Sequence, residues 1–132
     1  MFVYNDGGRA KAGFKGETRD CVTRAIAIAT GKPYKTVYDA LNKLAGKSVA
    51  RTGVPRKIYE AYLLADGWRW VPTMLVGKGC KVHLLADELP KGKLIVRVSK
   101  HIVAVIDGVI HDTSDPSRGG SRCVYGYFTK EK

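Results

Sequence analysis

Cys21 stands where a thiol can become a nucleophile. It follows Asp20 directly and heads the segment CVTRAIAIAT, in which Val22, Ala25, Ile26 and Ala29 recur at helical spacing. Unpaired N–H groups and aligned peptide dipoles at a helix start favour a negative charge, so a thiol there loses its proton more readily. Asp20 is expected to cap the helix, with Thr18 as the alternative cap. The second residue of interest is His101, a polar ring at the head of an otherwise apolar run, where it needs a partner. Asp112 is the expected partner. With Asp107-Gly108 as a two-residue turn, Ile106 faces Val109, Val105 faces Ile110 and Ala104 faces His111, which puts His101 and Asp112 on one face. His111 falls on the other face. The chemistry this predicts is attack by the Cys21 thiolate on a carbonyl, with His101 as general base and acid and Asp112 fixing its tautomer. The backbone N–H of Cys21 is one natural oxyanion donor, and Asn5 or Thr18 could add a side-chain donor.

The elements needed to position these groups are legible in outline. Residues 1–20 are polar and rich in glycine (Gly7, Gly8, Gly13 and Gly16), with a short Phe2–Tyr4 strand at most. The helix from Cys21 stops at Gly31. A second helix starts at Pro33, carries Val37, Leu41 and Leu44, and stops at Gly46. Gly53-Val54-Pro55 opens a third, through Ile58, Tyr62 and Leu63 to Gly67. Trp68 and Trp70 alternate as in a strand, and their expected role is core packing. Leu94–Val98, His101–Ile106, Val109–Thr113 and Cys123–Phe128 are apolar and β-branched runs. The predicted fold is α+β, with N-terminal helices packed on a C-terminal antiparallel β-sheet, as a single domain over residues 1–132.

With DCVTRAIAIAT and HIVAVIDGVIHDT in place, the chain resembles the papain-like cysteine peptidase superfamily, and is most similar to small bacterial and phage members. The resemblance implies Cys21 as nucleophile, His101 as base and Asp112 as its orienter, acting on an amide, isopeptide or thioester bond of a protein or peptide substrate. One departure stands out: Lys15 occupies the position, six residues before the nucleophile, where the superfamily often has an oxyanion-stabilising glutamine. Glu17 is nearer but, ionised, cannot donate. Two other functions compete with a hydrolase or acyltransferase. One is a catalytically silent papain-like binding or inhibitor protein of phage origin, directed at an acidic host protein. The other is a basic nucleic-acid-binding protein.

Composition frames these expectations. The chain has 132 residues, 45% of them hydrophobic, and a formal charge of +11 from 23 Lys and Arg against 12 Asp and Glu. That sign favours acidic partners, although the basic residues form no long run. Lys81, Lys93, Arg97 and Lys100 are expected to flank the cleft. Three cysteines cannot all pair within one chain, and the absence of Cys-x-x-Cys gives no local support to a zinc knuckle. Cys80 and His83 have ligand-like spacing without a second close pair, so Cys80, His83 and Cys123 are expected to be structural. No metal and no cofactor are expected. With neither a signal peptide nor a membrane-spanning run in the sequence, the expected setting is the cytoplasm, that of the host if the chain is phage-encoded.

Overall fold

The computed structural model describes residues 2–15, 18–74, 77 and 79–130; Gly16 and Glu17 lie outside the described residues. Ten elements follow one another: β1 (Phe2–Tyr4), α1 (Cys21–Thr30), α2 (Tyr34–Ala45), α3 (Arg56–Ala65), β2 (Arg69–Pro72), a short 3-10 turn (Ala86–Glu88), β3 (Lys93–Val98), β4 (His101–Ile106), β5 (Val109–Asp112) and β6 (Val124–Thr129). The strands form one open sheet in the order β1-β5-β4-β3-β6-β2. This is a mixed α+β fold, with helices preceding most of the sheet.

The β4–β5 hairpin has the register that its turn requires. Ile106 pairs with Val109, Val105 with Ile110 and Ala104 with His111. Asp107 and Gly108 both take positive φ, 50° and 80°, as a two-residue turn between twisted strands demands. The sheet itself departs from the antiparallel expectation. β1 pairs with β5 in parallel, Phe2 opposite Ile110 and Tyr4 opposite Asp112. A parallel partner needs a long crossover, and residues 5–108 supply one. β2 joins from the first half of the chain by pairing with β6.

Period-two alternation divides the strands between two apolar layers. Ile95, Ile102, Ala104 and Phe128 face the helices and meet Val22, Ile26, Val37, Leu41, Leu63 and Trp68. Leu94, Val96, Val98, Val103, Val105, Ile110 and Val124 face the other way, onto Leu84 and Leu89. Each fully buried side chain of this size contributes about 1.5–3 kcal/mol. The segment around residues 82–89 is therefore the cover of the second sheet face, which explains an apolar run that forms no long element. Trp68 is buried in the core, and Trp70 packs on Phe128 at 4.9 Å between ring centroids.

Helix α1 begins at Cys21, but Asp20 makes no side-chain cap bond. Its carboxylate is fully buried and receives the Arg24 guanidinium and the Tyr34 hydroxyl, the latter at 2.6 Å. A buried charge is held by ionic and hydroxyl partners rather than spent on one amide. Thr18 does not cap the helix either; its hydroxyl donates to the Arg51 carbonyl at 2.9 Å.

Candidate functional site

Three neighbourhoods hold the chemistry-bearing side chains: the head of α1 against β4, a basic cavity beside it, and a sulfur–imidazole cluster at the start of β6. At the first, the one-face relation of His101 and Asp112 becomes a contact: His101 Nε2 and Asp112 Oδ2 are 2.7 Å apart. Asp112 does not serve His101 alone. Its Oδ1 accepts from Arg24 Nη2 at 3.1 Å and from the Thr113 amide at 2.7 Å. Arg24 in turn is ion-paired to buried Asp20, which Arg9 Nε also approaches at 3.7 Å. An ionic network thus ties the first turn of α1 to the end of β5.

The thiol of Cys21 is free and partly buried. Burial pushes its pKa up, but the hydrogen bond and positive charge of His101, with smaller help from the Ile102 backbone and Arg24, bring it below the ordinary thiol value. Burial alone would discharge His101. Asp112 and Cys21 outweigh it and raise the imidazole to about 9. For Asp112, burial raises the pKa, and His101, Thr113 and Arg24 together carry it below the usual carboxylate value.

The side chains nominated as oxyanion donors are engaged elsewhere. Asn5 Nδ2 lies 3.2 Å from His111 Nδ1, while Asn5 Oδ1 accepts from the Gly7 amide at 2.8 Å. Thr18 is held by Arg51, as described above.

Beside His101 a cavity of about 350 Å³ is lined by Lys100, His101, Ser114, Asp115, Pro116, Arg118 and Arg122. Four cationic side chains face one carboxylate there, and Asp115 is itself turned to the Ser117 amide at 2.9 Å. Arg122 donates from Nη2 to the Ser99 carbonyl and from Nη1 to the Pro116 carbonyl at 3.3 Å, fastening the β3–β4 turn to the loop after β5. Its Nε is buried without a hydrogen-bond partner. Burial and the charge of Arg118 both lower the Arg122 pKa, the sign of like charges held close. Of the expected flanking residues, Lys100 lines this cavity. Lys93 lines a different one with Asp107 and Lys130, and Arg97 lies over the Tyr125 ring at 5.3 Å.

In the third neighbourhood Cys80 and Cys123 form a disulfide. Cys80, His83 and Cys123 bring their donor atoms within 4.8 Å of one another, a metal-type donor set. Sequence spacing showed Cys80 and His83. Cys123 arrives through the pairing of its backbone with that of His83, which spacing does not reveal.

These observations overturn the expectation of a thiol hydrolase, cysteine peptidase or acyltransferase. Two of the three sulfurs are consumed as a disulfide, and the sulfur–imidazole cluster they form is of metal-ligand type, not a Cys–His–Asp triad. Asp112, cast as the orienter of one imidazole, is shared with a guanidinium. Sequence reasoning also missed Arg24, Arg118 and Arg122. The Asp20/Arg24 spacing of four on a helix was a usable signal for the first. The other two depend on how the 114–122 loop folds back. Among the described residues no helix is long and apolar enough to cross a membrane. No family model, curated protein or solved structure matches the chain.

Proposed function

We propose that this protein is a nucleic-acid-binding protein whose basic cavity beside His101 receives backbone phosphate. The observation that carries this reading is the convergence of Lys100, His101, Arg118 and Arg122 on one small cavity with a single carboxylate. Several features support it. His101, raised to about 9, is cationic at neutral pH. Arg122 is anchored by two carbonyls and so presents a fixed charge rather than a mobile one. An anion between Arg118 and Arg122 would relieve the repulsion that now lowers the Arg122 pKa. The overall charge of +11 supplies the wider field that draws a polyanion in. Contacts of this kind neutralise phosphate charge and release counterions, so they bind without strong sequence preference and weaken steeply with salt.

The test is fluorescence anisotropy with labelled single-stranded and duplex oligonucleotides over a salt series. Affinity is expected to fall linearly on a double-logarithmic plot. Lys100→Ala and Arg118→Ala are each expected to reduce the slope by about one. Absence of binding at low ionic strength, or slopes untouched by both basic substitutions, overturns the reading.

A further inference from the structure

Cys80, His83 and Cys123 are held together by more than the bond between the two sulfurs. The backbones of His83 and Cys123 form an antiparallel bridge. On either side of it, the Leu84 amide donates to the Arg122 carbonyl at 2.9 Å and the Val124 amide to the Val82 carbonyl at 2.8 Å. Leu84 and Val124 are buried in the layer on that sheet face. Reduction of the disulfide would therefore leave Cys123 beside His83, with Cys80 only two residues from the anchored Val82.

The imidazole is also oriented. Glu88 Oε1 accepts from the His83 amide at 3.1 Å and lies 3.2 Å from His83 Nδ1. With the Nδ1 proton given to this carboxylate, the lone pair sits on Nε2, which is 3.5 Å from Cys80 Sγ. A carboxylate behind a histidine is the usual means of fixing the tautomer of a metal-binding imidazole. Donors bonded tetrahedrally to zinc at 2.0–2.3 Å lie about 3.3–3.8 Å from one another. The three donors, within 4.8 Å of one another, need only small rotations to meet that spacing.

We propose that Cys80, His83 and Cys123 form a redox-gated zinc site. A dithiol reductant gives two electrons and two protons to the Cys80–Cys123 bond, yielding two thiols and a disulfide on the reductant. Zn²⁺ then binds both sulfurs and His83 Nε2, displacing the two thiol protons, and water completes a four-coordinate shell. Thiolate and imidazole ligands in this number select zinc over calcium or magnesium, which take oxygen donors. The oxidised site has no thiolates to offer, and the free Cys21 lies apart from it. Its disulfide and the metal are alternatives, and the redox state decides between them.

Cobalt(II) substitution tests this on the full chain, because tetrahedral thiolate ligation gives strong visible absorption and a near-ultraviolet sulfur-to-cobalt band. Reduced, desalted protein is expected to develop both bands to one equivalent of Co²⁺ and to lose them on addition of Zn²⁺. Oxidised protein should develop neither. Cys123→Ser should abolish the sulfur-to-cobalt band of a tight site, and Glu88→Gln should weaken the metal 10–100-fold, the usual range for removing such a partner. His83→Gln, which leaves both cysteines in place, should also weaken it sharply. Circular dichroism follows the fold throughout. If reduction unfolds the chain, Zn²⁺ is expected to restore the native spectrum. Reduced protein that neither binds Co²⁺ through sulfur nor refolds with Zn²⁺ overturns the site, as does binding unchanged in Cys123→Ser and His83→Gln.

Discussion

Asp112 lies 2.7 Å from the imidazole of His101 and, through its other oxygen, 3.1 Å from the guanidinium of Arg24. One carboxylate thus joins a strand residue eleven positions earlier to the first helix. Because Asp112 is almost wholly buried, both contacts act away from bulk water.

The pH dependence of stability follows from the two titrations. His101 is raised from 6.5 to about 9, so its contribution is fully present below pH 6.5 and is lost as pH climbs through about 9. The full shift corresponds to at most about 3 kcal/mol. Asp112 is lowered from 3.8, so its contribution is present above that value and is lost as pH falls through its folded pKa. Urea midpoints between pH 3 and 10 should be highest between about 4 and 6.5. Asp112→Asn should reduce the alkaline loss and move the His101 ring resonance, followed by NMR, toward an ordinary histidine titration, the part due to Cys21 remaining.

The Cys21 thiol should ionise below the ordinary thiol range because His101 faces it as a cation. The pH profile of iodoacetamide labelling, read by mass spectrometry with the disulfide intact, should have its midpoint below that of an exposed thiol. His101→Ala should move it upward. A wild-type midpoint at or above the ordinary value would contradict the contact.

Asp20 should be the most costly single carboxylate to remove. It is fully buried between Arg24 and Tyr34, and Arg24 Nε is already a buried donor without a partner. Asp20→Ala leaves the Tyr34 hydroxyl unmatched and the Arg24 guanidinium held by Asp112 alone, and should cost about 3–5 kcal/mol in urea unfolding. Lys35→Ala, which removes an exposed ion pair with Asp39, should cost under about 0.5 kcal/mol.

Gly126 is required by contact rather than by backbone conformation. It sits in β6 opposite Pro72 of β2, where a Cβ would overlap the Trp70 ring and come within 2.7 Å of the Val71 carbonyl. Gly126→Ala should cost at least about 1–3 kcal/mol, because Trp70 cannot move without disturbing Phe128. Thermal unfolding checks this.

What was legible beforehand divides along physical lines. The helices from Cys21, after Pro33 and after Pro55 could be read because periodicity, proline and glycine act locally. The β4–β5 register was legible because a two-residue turn fixes which residues face each other. The parallel placement of β1 was not, since three residues without a turn carry no information about a partner more than a hundred positions away. The same reason hid Cys123 from Cys80 and Arg122 from Lys100. The residues around Asp20 suit a cap, yet it makes none. What decided otherwise was Tyr34, brought in by the packing of α2 on α1.

The placement of β6 sets the order in which the molecule can be completed. This strand is the last of the described elements, yet it lies between β3 and β2, pairing with both. A ribosome releasing the chain from its N-terminus would deliver β2 long before β6, its neighbour in the sheet among the described residues. Until residues 124–129 emerge, β2 waits without a ladder and Phe128 is missing from under α3. Assembly of this half of the protein is therefore gated by residues 124–129, and a nascent chain halted before residue 124 would carry its helices over an unfinished floor.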